Sequence, residues 1–238
     1  QPVAPEAEEK YLNWIRQRAE HIPLQQLTGE QGFMGLTFSV NEHVLIPRQD
    51  TEILVEEVLK ELHDGMRVLD MCTGSGCILL SLLHYSNDCE GLGVDLSAEA
   101  LEVAGRNVLK VLTPEKAEHA HFLQSDLFEK VEGKFEIIVS NPPYIASAEV
   151  EKLMPEVRDH EPRMALDGTE DGLYFYRRII EEAGKHLVSS GMLFFEIGYD
   201  QGQAVSELMR TEGYCDVQVV QDYAGLDRVV LGTYCERN

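Results

Sequence analysis

The sequence is poor in basic residues. Its 238 residues include 20 Lys and Arg against 42 Asp and Glu, which gives a formal net charge of −22. Such a charge repels the phosphate backbone of nucleic acids and so disfavours tight nonspecific binding to DNA or RNA. We therefore expect no direct contact with nucleic acid.

Long apolar runs are absent as well. Segments such as 78–80 and 192–195 are far shorter than the ~20 apolar residues that span a bilayer. The acidic N-terminal stretch lacks the basic leader and the apolar segment of a secretory signal. These absences predict a cytoplasmic protein with no membrane association.

Cys-x-x-Cys pairs are absent from the five cysteines of the chain: Cys72, Cys77, Cys89, Cys215 and Cys235. An odd set of this kind argues against both a disulfide framework and a zinc site. We expect no disulfide framework, no bound metal and a reducing compartment.

The remaining composition is that of an ordinary folded protein. Hydrophobic residues make up 44% of the chain, with 19 Gly and 9 Pro. These values exclude collagen-like and disordered chains. The length fits one large domain, or one domain with a small appendage.

From residue 66 onward, short apolar runs alternate with helical patterns. This alternation predicts an α/β fold with a mostly parallel sheet covered on both faces. The last two runs are separated by only three residues, which requires an antiparallel hairpin at one edge. The predicted strands are Arg67–Met71, Gly91–Asp95, His121–Gln124, Phe135–Ser140, Gly191–Ile197, Asp216–Tyr223 and Asp227–Tyr234, and the predicted helices are 76–84, 97–112, 172–188 and 201–211.

Residues 1–30 have too few apolar residues to form a core of their own. A helix is predicted over Tyr11–Ala19, followed by a β-hairpin over Gly32–Ile46 that leads onto the main domain. Asp50 is expected to cap the helix that follows, whose apolar residues recur at helical spacing.

The loops that follow the first four strands of the parallel sheet should converge, because ligands of such sheets bind beyond the carboxyl ends of the strands. The first loop carries Gly74 and Gly76, which let the backbone pass close to a ligand, and Asp95 ends the second strand. The third glycine of a dinucleotide-binding loop is replaced by Leu79. The pattern favours a nucleoside without a pyrophosphate. Alternatively, the two glycines only form a turn, and Asp95 caps the helix that begins near Ser97.

The loop after the fourth strand contains Asn141-Pro142-Pro143-Tyr144. The two prolines have no N–H donor, so carbonyl oxygens and the Asn141 side chain dominate its polar surface. Hydrogen-bond acceptors suit a planar –NH₂ group, and the Tyr144 ring can lie against the face of that group.

Together these motifs resemble class I S-adenosylmethionine-dependent methyltransferases that modify planar nitrogens. Three further stretches, residues 27–33, 46–52 and 161–168, resemble the HemK/PrmC family, which methylates the glutamine of the Gly-Gly-Gln motif in peptide-chain release factors. The resemblance runs from about residue 20 to the C-terminus. It implies a seven-stranded Rossmann-like sheet with S-adenosylmethionine as cofactor and S-adenosylhomocysteine as product.

The resemblance also implies roles for individual residues. Asn141, Pro142 and Tyr144 would be catalytic, and Asn141 would also contact the cofactor. The substrate amide would be held by Asn141, Pro142, Pro143 and Tyr144, with Phe33 and Glu196 as further candidates. Phe33 alternatively packs in the core, and Glu196 is alternatively a structural acid. The cofactor would be held by Cys72, Thr73, Gly74, Ser75, Gly76, Asp95, Asp126 and Leu127.

The chain departs from the family pattern at two motif positions and at the N-terminus. Cys72 stands where glycine is usual and Gln49 where proline is usual, and the family's N-terminal helical domain is longer than residues 1–30 permit. We therefore assign residues 1–30 to a partial helical substrate-recognition region, 31–47 to a hairpin linker and 48–238 to the methyltransferase domain.

The expected partner is a release factor, and a monomer is the default state. Three alternatives stay open at this point. The acceptor could be a glutamine of a ribosomal protein, the enzyme could methylate adenine N6 in DNA or an amino group in rRNA, or the chain could be a noncatalytic cofactor-binding regulator. The basic surface typical of base-modifying enzymes is not evident, and the complete Asn-Pro-Pro-Tyr motif argues against a regulator.

Overall fold

The computed structural model describes residues 4–235 of the chain. The N-terminal part consists of helix α1 (Pro5–Ala19), helix α2 (Leu24–Thr28) and an antiparallel hairpin of strands β1 (Glu30–Phe33) and β2 (Leu36–Ser39). A 3-10 turn (Gln49–Thr51) then leads directly into helix α3 (Glu52–Glu61).

The other seven strands form one sheet: β3 (Arg67–Met71), β4 (Glu90–Asp95), β5 (Ala120–Gln124), β6 (Phe135–Ser140), β7 (Leu187–Glu196), β8 (Tyr214–Gln221) and β9 (Asp227–Tyr234). Their spatial order is β5-β4-β3-β6-β7-β9-β8, with parallel pairing from β5 to β7 and antiparallel pairing of β9 with both neighbours. The strand order reverses between β3 and β6, which is where ligands of open parallel sheets bind. The predicted fold class is therefore confirmed.

Helices cover both faces of this sheet: α3, α4 (Cys77–Tyr85) and α5 (Ala98–Val111) on one face, α9 (Tyr174–Ala183) and α10 (Gly202–Thr211) on the other. The short helices α6 (Pro114–Ala117), α7 (Ser147–Val150) and α8 (Pro155–Arg158) and a 3-10 turn at Arg163–Ala165 lie in the connections between strands. Val68 of β3 packs in a core with Leu54 of α3 and Leu79 of α4, whereas the next residue, Leu69, packs in a second core with Ile179 of α9. This alternation follows from the two-residue period of a strand whose faces are both buried. Within the described residues, no helix is long and apolar enough to cross a membrane.

The N-terminal hairpin is fixed to the main body by Asn107, a fully buried residue of α5. Its Oδ1 accepts a hydrogen bond from the Ser39 N–H at 2.7 Å, and its Nδ2 donates to the carbonyls of Ser39 and Ser75 at 3.1 and 2.9 Å. One side chain thus joins β2, α5 and the loop after β3. The hairpin is shorter than the predicted Gly32–Ile46, because residues 40–48 run as a loop.

Two local predictions were wrong because contacts distant in sequence decide the outcome. Asp50 does not cap α3, since no side chain caps this helix, and its carboxylate lies 3.5 Å from the Arg228 guanidinium. The helix predicted over 172–188 ends at Ala183, because Leu187 begins β7 and pairs with Phe135 of β6.

The cysteine prediction also needs correction, because Cys215 and Cys235 form a disulfide with a Cα–Cα distance of 6.0 Å. Cys215 lies opposite Thr233 in the antiparallel pair of β8 and β9, which places it beside the end of β9. The separation of 20 residues in sequence does not predict that the two cysteines meet, because only the pairing of β8 with β9 brings them together. Cys72, Cys77 and Cys89 are free thiols.

Candidate functional site

A cavity of about 220 Å³ opens at the carboxyl ends of the parallel strands. The loops after β3, β4, β5 and β6 contribute to its wall, as the strand order predicts, together with the sequence-distant segments 43–51 and 162–167. The wall contains these candidate residues: Cys72, Thr73, Gly74, Ser75, Asp95, Asp126, Leu127, Asn141 and Pro143. The other candidates, Gly76, Pro142, Tyr144, Phe33 and Glu196, lie outside it.

The loop after β3 is shaped by residues with positive φ. Cys72, Gly74 and Gly76 have φ angles of 63°, 54° and 78°. Two glycines make this path accessible at low cost, whereas Cys72 adopts it with a side chain. At Gly76 a Cβ would lie 3.2 Å from both Ala104 Cβ and a Leu80 methyl carbon, so a side chain here would also crowd α4 and α5. The backbone thereby turns sharply from β3 into α4 beside the cavity.

Asp70 lies fully buried beneath this loop. Its Oδ2 accepts hydrogen bonds from the Thr73 hydroxyl at 2.6 Å and from the Leu79 N–H at 3.3 Å. No group within residues 4–235 bonds its other oxygen, Oδ1. Burial raises the pKa of Asp70 from 3.8 to about 7, and the nearby Asp95 adds to the rise. The carboxyl group is therefore partly protonated near neutral pH.

We expect Asp70→Asn to flatten the pH dependence of the free energy of unfolding. The folded protein keeps the Asp70 proton up to about pH 7, whereas the unfolded chain releases it near 3.8. Because the folded state binds more protons between these values, the wild type loses stability as the pH rises through this window. Relative to the variant, the loss should be on the order of 3–4 kcal/mol. Urea unfolding of both proteins between about pH 4 and 8 measures it, and a stability difference independent of pH would contradict it.

Asp95 connects the loop after β3 to the start of α5. Its Oδ2 accepts from the Gly74 N–H at 2.8 Å and its Oδ1 from the Ser97 N–H at 2.9 Å. The cap of α5 is the Ser97 hydroxyl, which accepts from the Ala100 N–H, so Asp95 is not the helix cap that the alternative interpretation assumed. A carboxylate has about four acceptor sites, which leaves lone pairs of Asp95 available at the cavity wall. Burial raises its pKa, and the backbone N–H groups oppose that rise.

Asp126 and Leu127 form the wall beyond β5. Asp126 accepts a hydrogen bond from the Arg178 guanidinium of α9 at 2.9 Å. Leu127 is buried with a φ of 47°, an uncommon value for a residue with a branched side chain. The pair therefore provides an anchored carboxylate next to an apolar surface.

The loop after β6 brings Asn141 and Pro143 to the cavity wall. Asn141 Nδ2 donates to the Thr51 hydroxyl at 3.4 Å, so its Oδ1 is not used by this contact. The prolines carry no N–H, and no hydrogen bond found within residues 4–235 uses the carbonyl oxygens of Asn141 or Pro142. The polar groups that this loop offers to a ligand are thus mainly acceptors.

Tyr144 does not line the cavity and is held by hydrogen bonds to Glu196 and Gln201. Its hydroxyl donates to Glu196 Oε1 at 3.3 Å, and its carbonyl accepts from Gln201 Nε2 at 3.0 Å. Burial and the nearby Glu196 raise the pKa of Tyr144, so the phenol stays protonated and remains a donor. A Cβ at Gly172 would collide with the Tyr144 carbonyl oxygen, which shows how closely this loop is packed.

Phe33 packs in the core, as one of its two interpretations predicted. Its ring meets that of Phe38 edge to face with a centroid distance of 6.0 Å, and both rings belong to the core that contains Leu54. Nothing of Phe33 reaches the cavity wall.

Sequence reasoning from residue types missed Thr51 and Arg48, which both line the cavity. Arg48 forms an ion pair of 2.5 Å with the buried Glu161 and so connects segment 43–51 to the residue that directly precedes segment 162–167. The segments containing these residues were singled out only because they resemble a known family. Nothing in their local pattern indicates that they meet.

The chain was compared with known proteins. Residues 48–157 match the family model described as "Methyltransferase small domain". The chain is 44% identical to "Release factor glutamine methyltransferase" of Clostridium acetobutylicum, over 93% of the chain and 79% of that protein. It is 43% identical to the protein of the same description from Thermodesulfovibrio yellowstonii, over 91% and 78%. Among solved structures, a methyltransferase from Pyrococcus furiosus superimposes with a TM-score of 0.62 at 18% identity, covering 93% of this chain and 99% of that one. The last match shows a shared fold.

Proposed function

The chain belongs to the release factor glutamine methyltransferase family, and from this premise we propose that it transfers a methyl group from S-adenosylmethionine to the side-chain nitrogen N5 of a glutamine. The acceptor would be the glutamine of the Gly-Gly-Gln loop in a peptide-chain release factor. We place this reaction in the cytoplasm and assign it to a monomer.

The observation that carries the proposal is the orientation of Asn141. Its amide nitrogen donates one hydrogen to Thr51, and we assign its amide oxygen to the substrate. A carboxamide –NH₂ has two hydrogens to donate. We assign one to Asn141 Oδ1 and the other to the carbonyl oxygen of Pro142, which lies on the same loop although Pro142 is not part of the cavity wall. Tyr144 would hold this loop in place through its hydrogen bond to Glu196, which is a positioning role.

The cavity also fits the proposed cofactor. Asp95 has free acceptor sites for a ribose diol, and Leu127 gives an apolar surface for a planar base. The turn at Gly74 lets the backbone of the cavity wall lie close to the cofactor. We propose that residues 72–76 surround the methionine part of the cofactor, while Asp126 and Leu127 flank its adenine. When bound, S-adenosylmethionine supplies an electrophilic methyl group on a positively charged sulfur.

The residues of this chain act mainly by placement. A carboxamide nitrogen is a weak nucleophile because its lone pair is delocalised into the carbonyl group. Acceptors on both of its hydrogens return electron density to the nitrogen and hold it in one orientation. Positioning of this kind contributes about 7–11 kcal/mol in well-oriented intramolecular reactions. No strong base is needed, since the proton becomes acidic only as the new bond forms.

The net charge of −22 supports a protein acceptor over a nucleic acid. A base-modifying enzyme must also extract the base from its stack, which costs a few kcal/mol and is usually supported by a basic surface. A protein loop with two glycines can enter a narrow cavity with little steric hindrance.

For the N-terminal part, we propose that residues 1–30 contribute to recognition of the acceptor protein, apart from residues 1–3, which lie outside the described residues. Tyr11, Leu12 and Ile15 of α1 are all exposed, which supports a role in contact with another molecule. Residues 31–47, which contain most of the hairpin and the loop after it, would connect this region to the methyltransferase domain, residues 48–238, of which 236–238 are also not described.

We expect methyl groups from labelled S-adenosylmethionine to enter a purified release factor when it competes with ribosomes and DNA in one reaction. Each acceptor is separated afterwards and its label is counted. The matched control is a release factor in which the target glutamine is replaced by alanine, and it should take up no label. Label in rRNA or DNA with none in the release factor would replace the proposal by the base-methylating alternative, and label in a ribosomal protein would shift the acceptor within the same chemistry.

A further inference from the structure

Thr51 has a buried hydroxyl group that does not cap the helix that follows it. The residue is only 2% exposed and precedes the first residue of α3, where a threonine side chain usually accepts a hydrogen bond from the helix backbone. No such cap bond is formed. The hydroxyl points instead toward the loop after β6, which lies 90 residues away in the sequence.

Asn141 is the hydrogen-bond partner of this hydroxyl, since Asn141 Nδ2 donates to Thr51 Oγ1 at 3.4 Å. Burial raises the pKa of the Glu196 carboxyl, and the nearby Thr51 hydroxyl lowers it in part. A hydroxyl has one hydrogen to give and two lone pairs to accept with, so it can serve both neighbours at once.

Glu196 is another buried polar group at this position. It is 2% exposed, its Oε1 accepts a hydrogen bond from the Tyr144 hydroxyl, and its Oε2 has no hydrogen-bond partner within residues 4–235. The neighbouring Arg228 forms an ion pair with Asp222 at 3.0 Å. Toward Asn141 the Thr51 hydroxyl is an acceptor, so its own hydrogen is left for another neighbour such as Glu196.

From this arrangement we propose that Thr51 is a positioning residue for methyl transfer. It fixes the Asn141 side-chain amide with its nitrogen toward Thr51 and its oxygen toward the substrate glutamine. The inference rests on the proposed function, since it gives Asn141 Oδ1 a substrate amide to bind. Without the Thr51 hydroxyl, the Asn141 amide loses the contact that distinguishes its two ends. The oxygen and nitrogen could then exchange places, and a nitrogen donor facing a substrate –NH₂ would repel it.

The test compares Thr51→Val, which keeps the shape but removes the hydroxyl, with Thr51→Ser, which keeps the hydroxyl and removes a methyl group. We expect Thr51→Val to lower kcat for release factor methylation about 10- to 100-fold, the size of effect that a small misplacement of a reacting group produces. Its KM for the release factor and its calorimetric Kd for S-adenosylhomocysteine should change less than about threefold. Thr51→Ser should keep kcat within about threefold of the wild type.

Three results would overturn the inference: an unchanged kcat in Thr51→Val, an equal loss in Thr51→Ser, or a loss confined to KM or to cofactor affinity. If Thr51→Val does not fold, Thr51→Ala and Thr51→Ser form a second pair that differs only in the hydroxyl, and the same outcomes apply. The wild type separates this inference from the proposed function. A wild type that methylates no release factor contradicts the function, whereas an active wild type with an equally active Thr51→Val contradicts the role of Thr51 alone.

Discussion

Asn141→Ala should lower the rate of methyl transfer by about 10²–10³-fold at saturating concentrations of cofactor and release factor. This is the size of effect measured when one preorganised hydrogen-bonding group is removed from an active site. Asn141 lines the cavity, and in the proposed function its side-chain oxygen binds the substrate amide, for which alanine supplies no replacement. Single-turnover measurements with excess enzyme give the rate of the transfer step without product release.

The competing explanation is that Asn141 only forms the turn after β6. That role would lower the melting temperature and the amount of folded enzyme, and it would leave the rate per folded molecule unchanged. Asn87→Ala is the matched control, because Asn87 is an exposed loop asparagine that lines a different cavity. A variant of Asn141 that melts early and transfers at the normal rate per folded molecule would refute the assignment.

Asp95→Ala should weaken cofactor binding about 10- to 150-fold. Hydrogen bonds to a charged group contribute about 1.5–3 kcal/mol, and each 1.4 kcal/mol is a factor of ten in affinity. The substitution also removes the acceptor for the Gly74 N–H, so the loop that lines the cavity loses one of its fixed contacts. Isothermal titration with S-adenosylhomocysteine measures the change directly.

Glu99→Ala is the control for a general effect of charge. Glu99 is an exposed carboxylate in the first turn of α5, four residues beyond Asp95, and it does not line the cavity. Its removal changes the net charge equally and should leave the affinity within about twofold. Equal affinities of wild type and Asp95→Ala would remove Asp95 from the ribose site.

The central features of the fold could be predicted because they depend on local patterns. The apolar run Phe135–Ser140 and the hairpin strand Asp227–Tyr234 were placed with their observed bounds. Parallel strands bring their carboxyl ends to one edge, so the convergence of the Gly74 loop, Asp95 and Asn141 also follows from element order alone. Each of these inferences needs only neighbours in sequence and a general rule of sheet topology.

The features that were missed depend on contacts between distant segments. Thr51 meets Asn141 across 90 residues, and Asp50 meets Arg228 instead of capping a helix. The disulfide of Cys215 with Cys235 requires the antiparallel pairing of β8 and β9 to bring the sulfurs together. No propensity or spacing contains this information, since each partner is chosen by the packing of the whole sheet.

The proposed function depends on which atom of the release factor receives the methyl group. The most direct measurement is tandem mass spectrometry of the release factor after reaction, combined with acid hydrolysis of the modified peptide. We predict one added methyl group on the glutamine of the Gly-Gly-Gln loop, and release of methylamine on hydrolysis because the methyl group is bonded to the side-chain amide nitrogen. A methyl group on any other residue, or a modified peptide that releases no methylamine, would contradict it.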